Sequence, residues 1–204
     1  MGSSQDPGKN AHRSRLLRIL QALETSRSVS YVLDAQYRLI HCNPAWDDFA
    51  KSNGAPQLST EAIIGADTFT FIPDVLQHYY RDAFRRARSE AVWEGSYECS
   101  NPKFFRKYRM RIHWLRSRDL FVVTNPLIFQ RPHRNPTKPD ATRYVQTNGL
   151  ITMCAHCRCS QRVDVSEQWD FVPDYLRLKG EASLTVSHGF CPVCHAYFYP
   201  RPDC

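Results

Sequence analysis

Apolar and polar residues alternate along FFRKYRMRIHWL, residues 104–115. Phe104, Tyr108, Met110, Ile112 and Trp114 fall on one face, and Lys107, Arg109, Arg111 and His113 on the other. Period two of this kind predicts a strand with one covered face and one wet face. WEGSYEC precedes it as a second strand. Ser117-Arg118-Asp119 makes a tight turn into a third strand, LFVVTNPLIF, with Pro126 near its end. Upstream, residues 29–42 read as two more strands, VSYVLD and YRLIHC, around a turn at Asp34-Ala35-Gln36.

Helical signals fill the space between. Asn43-Pro44 supplies a cap and a first-turn proline for AWDDFAKSN, and Gly54 a stop. Residues 59–66 predict a short helix closed by Gly65. Pro73 opens a longer one, PDVLQHYYRDAFRRARSE, with Val75, Tyr79 and Phe84 on its apolar side. Ahead of all these, residues 12–26 place Leu16, Leu20 and Leu23 at i, i+4, i+7, with Ile19 alongside. So short a helix needs a partner surface, from its own domain or from a second copy of the chain. A strand pair, a helical crossover and a three-strand meander predict one α+β domain with a five-stranded antiparallel sheet.

Punctuation then divides the chain. Residues 1–11 read as a disordered leader, 12–28 as the N-terminal amphipathic helix, 29–129 as the α+β domain, 130–143 as a proline-rich linker and 144–204 as a second unit. The N-terminus has no apolar segment of the secretory kind, and no window approaches the run of about 18 apolar residues that a membrane span needs.

The cysteines change the picture. The chain has 204 residues and eight cysteines; Cys42 and Cys99 stand apart, and six crowd into the last 51 residues. Without a signal peptide, thiols in this number predict a reducing, cytoplasmic setting rather than a disulfide scaffold. CAHC at 154–157 and CPVC at 191–194 are both C-x2-C, separated by 33 residues. That spacing lets two thiolates from one turn reach one ion, and two such pairs complete a tetrahedron. Thiolate softness selects zinc over magnesium or calcium, and four protein ligands make the site structural. The expectation is one structural zinc per chain on Cys154, Cys157, Cys191 and Cys194. Cys159 and His188 are substitute ligands, and His156 and His195 also lie close in sequence. A redox dithiol pair and an iron–sulfur cluster use the same side chains and rank below zinc. Pro192 places CPVC at the start of a final helix. Trp169, Phe171, Tyr175, Leu176, Phe198 and Tyr199 offer a core too small to fold without metal.

Two resemblances rest on these segments. YVLDAQYRLIHCNPAWDDFA, IIGADTFTFIPD and the meander from Trp93 to Phe129 resemble the PAS domain family over about 100 residues. The resemblance implies a sensor or interaction module that holds a small molecule between sheet and long helix, or dimerises through the helix flanking the sheet. Tyr108, Met110, Ile112 and Trp114 are then cavity candidates, with core packing as the plainer role. GADTFTFIP lacks the cysteine of the flavin-binding light sensors. His78 on the long helix is a haem-ligand candidate, a minor alternative because the family's histidine falls nearer Tyr80. The second resemblance covers residues 150–200: ITMCAHC, Trp169, DYL, SHGFCPVC and YFYP are similar to a C-terminal zinc-binding module of bacterial PAS and response-regulator signalling proteins. It implies the same four cysteine ligands, and departs at Cys159.

Charge adds less. The formal net charge is +7; four thiolates (−4) and one zinc ion (+2) would leave +5. The basic residues are scattered along the chain, so a zinc-dependent nucleic-acid-binding regulator stands as the alternative rather than the favoured reading. No P-loop, dinucleotide fingerprint or nucleophile elbow is present, which argues against an enzyme. The favoured reading is a cytoplasmic bacterial sensory protein, homodimeric through its N-terminal helix and PAS sheet, passing its signal to a protein partner.

Overall fold

The computed structural model describes residues 17–133, 136–177 and 184–199. Leu16, the leader and Cys204 lie outside them. Among the described residues no helix is long and apolar enough to cross a membrane.

The elements run as helix α1 (17–24), strands β1 (Val29–Leu33) and β2 (Leu39–Cys42), then helices α2 (Pro44–Ser52), α3 (Thr60–Ile63) and α4 (Asp74–Glu90). Strands β3 (Val92–Glu98), β4 (Phe104–Leu115), β5 (Leu120–Asn125) and β6 (Leu127–Pro132) follow. The first sheet has the order β2-β1-β5-β4-β3, with β6 pairing β4. Strand pair, helical crossover and meander are all present, so the class is α+β with a PAS-like antiparallel sheet. The predicted third strand of the meander is two strands. Pro126 has no N–H to continue the ladder, so β5 pairs with Arg111–Leu115 of β4 and β6 separately with Phe104–Tyr108. The last third adds helix α5 (Ala141–Tyr144), strands β7 (Leu150–Cys154), β8 (Ser160–Gln161), β9 (Trp169–Asp170) and β10 (Thr185–Gly189), and helix α6 (Pro192–Phe198). Its sheet has the order β10-β7-β8-β9.

The described residues form two compact units. The first takes residues up to Thr70, Ala83–Gly95 and Met110–Pro126; the second takes Phe71–Asp82, Ser96–Arg109 and the chain from Leu127 onward. The division does not follow a linear boundary near residue 130.

The first unit is built on aromatic and aliphatic burial. Tyr37, Phe69, Phe84 and Phe121 form a ring cluster with centroids 5.1–6.0 Å apart. Leu33, Leu39, Ile112 and Val123, each on a strand of the sheet, are buried as well. On α4 the buried positions of this unit are Ala83, Phe84 and Ala87, so of the predicted apolar stripe only Phe84 falls here. Helix α1 finds its partner surface within the unit: Ile19, Leu20 and Leu23 pack with Val32 and Val122. Asn43 stands at the N-cap position of α2 but does not cap it. Its side chain is fully buried. Oδ1 accepts from the Ser30 amide, and Nδ2 lies 2.9–3.2 Å from the carbonyls of Leu23, Ser26 and Ser28. The residue ties the end of α1 to β1 rather than starting a helix.

Among the described residues the second unit has two small cores. Tyr144, Ile151, Met153, Val172 and Tyr175 make one. The other gathers the C-x2-C cysteines with Leu76, Ala155 and Phe198. The described part of the proline-rich segment is docked rather than a free spacer. β6 reaches Pro132, the His133 ring stacks on Phe171 at 3.8 Å, the Thr137 amide donates to the Phe171 carbonyl, and Asp140 caps α5.

Candidate metal centre

Strand register brings the two cysteine pairs together. β10 runs parallel to β7, with Gly189 opposite Cys154. Each strand leads straight into a C-x2-C turn, so parallel pairing in this register delivers both turns to the same end of the sheet. The Ala155 amide donates to the Gly189 carbonyl at 2.8 Å and locks one turn to the other. The first turn doubles back: the Cys154 amide donates to the Cys159 carbonyl and the Arg158 amide to the Cys154 carbonyl. Reversal requires Arg158 at φ 64°, a left-handed conformation that is unfavourable for a residue with a Cβ. In the second turn Cys191 is the N-cap of α6, with Pro192 in the first turn, and its Sγ accepts from the Cys194 amide at 3.4 Å.

The four sulfurs of Cys154, Cys157, Cys191 and Cys194 all lie within 4.8 Å of one another. Cys157 Sγ and Cys191 Sγ are 3.7 Å apart. Four sulfurs at about 2.3 Å from one zinc ion would sit about 3.8 Å apart along the edges of a tetrahedron. The donor set and its spacing therefore fit a tetrahedral thiolate-bound ion. Three of the four cysteines are buried and Cys157 is half-buried. None of the four is in a disulfide.

Crowding controls protonation here. Hydrogen bonds from the thiols of Cys154, Cys159 and Cys194 pull the Cys157 thiol far below its usual range. The same contacts hold protons on Cys159 and Cys194 well above theirs, and burial pushes Cys191 up to about 11. Such thiol contacts favour ionisation at Cys157, and a divalent cation bound there would displace protons from its ligands.

The second ring of contacts comes largely from a segment that sequence reasoning assigned elsewhere. Ile72, Val75, Tyr79 and Tyr80 pack on the cysteine core with Trp169, Phe190 and Tyr199. The Tyr199 hydroxyl donates to the Val75 carbonyl at 2.6 Å, and the rings of Tyr79 and Phe198 meet edge to face at 4.7 Å. Val75 and Tyr79, read in the sequence as the apolar side of the long helix, thus belong to this centre. His156 packs on Phe198, and burial lowers its pKa.

The other candidates fall outside the four-sulfur group. Cys159 is half-buried beside Cys157. His188 is exposed on β10, opposite Met153. His78 is exposed on α4. Among the cavity candidates, Tyr108 is buried and stacks on Tyr97 at 5.5 Å in the second unit. Met110 and Ile112 are buried in the first. Trp114 is half-buried, with its indole N–H donating to Asp119 and the Arg116 guanidinium over its ring. Sequence reading missed Arg106 on the Tyr108 face. It is buried, and its Nε donates to the Cys99 carbonyl. Its place in the period-two register was the available signal.

No protein-family model matches the sequence, and no curated protein does. Solved structures similar to parts of the chain include the photoactive yellow protein domain of the sensor histidine kinase Ppr from Rhodospirillum centenum. It is 12% identical, with 52% of this chain and 90% of that chain covered and a TM-score of 0.38. A PAS domain from Colwellia psychrerythraea is 14% identical over 56% of this chain and 97% of that one, with a TM-score of 0.41. The PAS domain of the quorum-sensing receptor RpfR from Cronobacter turicensis, in complex with BDSF, is 15% identical over 51% and 96%, with a TM-score of 0.37.

Proposed function

We propose that Cys154, Cys157, Cys191 and Cys194 hold one structural zinc ion, and that the chain is a non-enzymatic sensory or interaction module of a signalling system. The observation that carries the metal reading is the convergence of four sulfurs within 4.8 Å. Tetrahedral thiolate chemistry favours zinc, and four protein ligands leave no position for substrate. Cys159 and His188 serve as neighbours rather than ligands. The C-terminal zinc-binding module of bacterial signalling proteins is the unit this segment resembles.

The signalling reading rests on the PAS-like strand order and helical crossover; fold alone supports it only as an analogy. A reducing, cytoplasmic setting suits seven described cysteines that are all free thiols. Native mass spectrometry of the purified protein, compared with its denatured mass, tests both parts. An excess of one zinc per chain supports the metal site, and a further small-molecule mass identifies the signal. Absence of bound metal rejects the metal site.

A further inference from the structure

Three basic residues, Lys107, Arg109 and Arg131, are gathered on one face by the β4–β6 ladder of the second unit. Cross-strand register places Phe105 opposite Arg131 and Lys107 opposite Phe129. These four positions share one face, opposite the buried Arg106 and Tyr108. Aromatic and cation therefore alternate both along each strand and across the pair. The Phe105 and Phe129 rings stack at 5.6 Å with an interplanar angle of 29°. The Arg131 guanidinium lies over the Phe105 ring at 4.7 Å. Arg109 continues the row beyond Lys107, about 7 Å further along the strand, and both are exposed. Phe129 is 42% exposed although it is a large apolar ring. The acid facing Arg131 and Arg158 from β3 is Glu98, whose carboxylate accepts from the Ser100 hydroxyl at 2.8 Å. Lys107, Arg109 and Arg131 form no ion pair with it or with any other described residue.

We infer that this face binds single-stranded nucleic acid, with a base stacking on the exposed Phe129 ring, which Phe105 backs, and phosphates on Lys107, Arg109 and Arg131. An exposed ring flanked by cations on one face of a strand pair combines the two features that sequence-tolerant single-strand binding requires, a stacking platform and an electrostatic track. An acidic peptide would use the cations but has no need of the exposed Phe129 ring. Duplex DNA would leave the ring unused, because its bases are already stacked. The occupant that uses both the Phe129 ring and the cations is an unpaired strand of RNA or DNA.

Fluorescence anisotropy of labelled RNA and DNA oligonucleotides of about 12 nucleotides, titrated with the full-length protein at about 50 and 200 mM salt, tests the proposal. Binding to either oligonucleotide that weakens with salt is expected, and the tighter of the two names the source. Phe129→Leu should weaken binding at least about fivefold at both salt levels through lost stacking. The double variant Lys107→Gln/Arg109→Gln should lower the salt slope by about 1.4. Metal content and melting temperature of each variant confirm that the fold persists. No binding at the lower salt would overturn the proposal. So would Phe129→Leu binding as tightly as the parent, or equal competition by a duplex or a poly-glutamate peptide.

Discussion

The two compact units solve the same problem with different materials. The first closes around Tyr37, Phe69, Phe84 and Phe121, rings that exclude water by area alone. The second has a small cluster around Tyr144, Ile151 and Val172, and beside it a core of four sulfurs with Leu76, Ala155 and Phe198. An aromatic cluster needs nothing beyond the chain. A cluster of thiols within 4.8 Å is held together by weak S–H contacts until a cation draws the sulfurs to one centre. The first unit should therefore be stable on its own chemistry, and the second should depend on metal.

The largest expected effect follows directly. Cys154→Ser, at a fully buried position, should abolish metal binding and unfold the second unit. The loss should be several kcal/mol, since binding energy is folding energy in such sites. Amide hydrogen exchange should show fast exchange in β7 and β10 and retained protection in β1 and β5. Equal loss of protection in both units would break the contrast.

Phe84→Ala is the reciprocal experiment. Phe84 touches Tyr37, Phe69 and Phe121, and its removal should destabilise the first unit by about 3–5 kcal/mol. Zinc content, measured by elemental analysis, should stay at one per chain.

Asn43 sharpens the account of the first unit. Asn43→Ala leaves the Ser30 amide and the carbonyls of Leu23, Ser26 and Ser28 without their shared partner. The expected cost is about 2–3 kcal/mol in chemical denaturation. Asn43→Ser should rescue little of it. A serine could cap α2, but capping is not what Asn43 does. Full rescue by serine would show that the cap matters after all.

The smallest effect concerns pH. Burial pushes the Glu98 carboxyl from its ordinary 4.5 up to about 7. The folded chain then binds this proton more tightly than the unfolded chain. The resulting stability is fully present below about pH 4.5 and is lost as pH rises through about 7. Glu98→Gln should flatten that part of the stability profile, raising the melting temperature above pH 7 relative to the parent. An unchanged profile would place the carboxylate in water.

Much of this was legible in the chain. Equal C-x2-C spacings pointed to the four sulfurs. Period two marked β4, and Gly54 and Gly65 stand at positive φ where helix stops were expected. What escaped was non-local. Nothing in ITMC or TVSHG announces that they pair in parallel with Gly189 opposite Cys154, yet that register builds the centre. Val75 and Tyr79 show helical periodicity, but periodicity cannot say which core a helix face meets. Asn43 carries the residue type of a cap and spends its side chain on β1 and the chain leading into it, because a fully buried amide satisfies more groups there.

Cobalt substitution tests the central claim most directly. Titrating the metal-free full chain with Co2+ should give the intense absorption of a tetrahedral tetrathiolate centre at one equivalent. Serine in place of Cys154, Cys157, Cys191 or Cys194 should each alter or abolish it, while Cys159→Ser and His188→Ala leave it unchanged. A spectrum altered by Cys159→Ser and indifferent to Cys157→Ser would contradict the assigned ligand set, and no cobalt spectrum at all would contradict the metal centre itself.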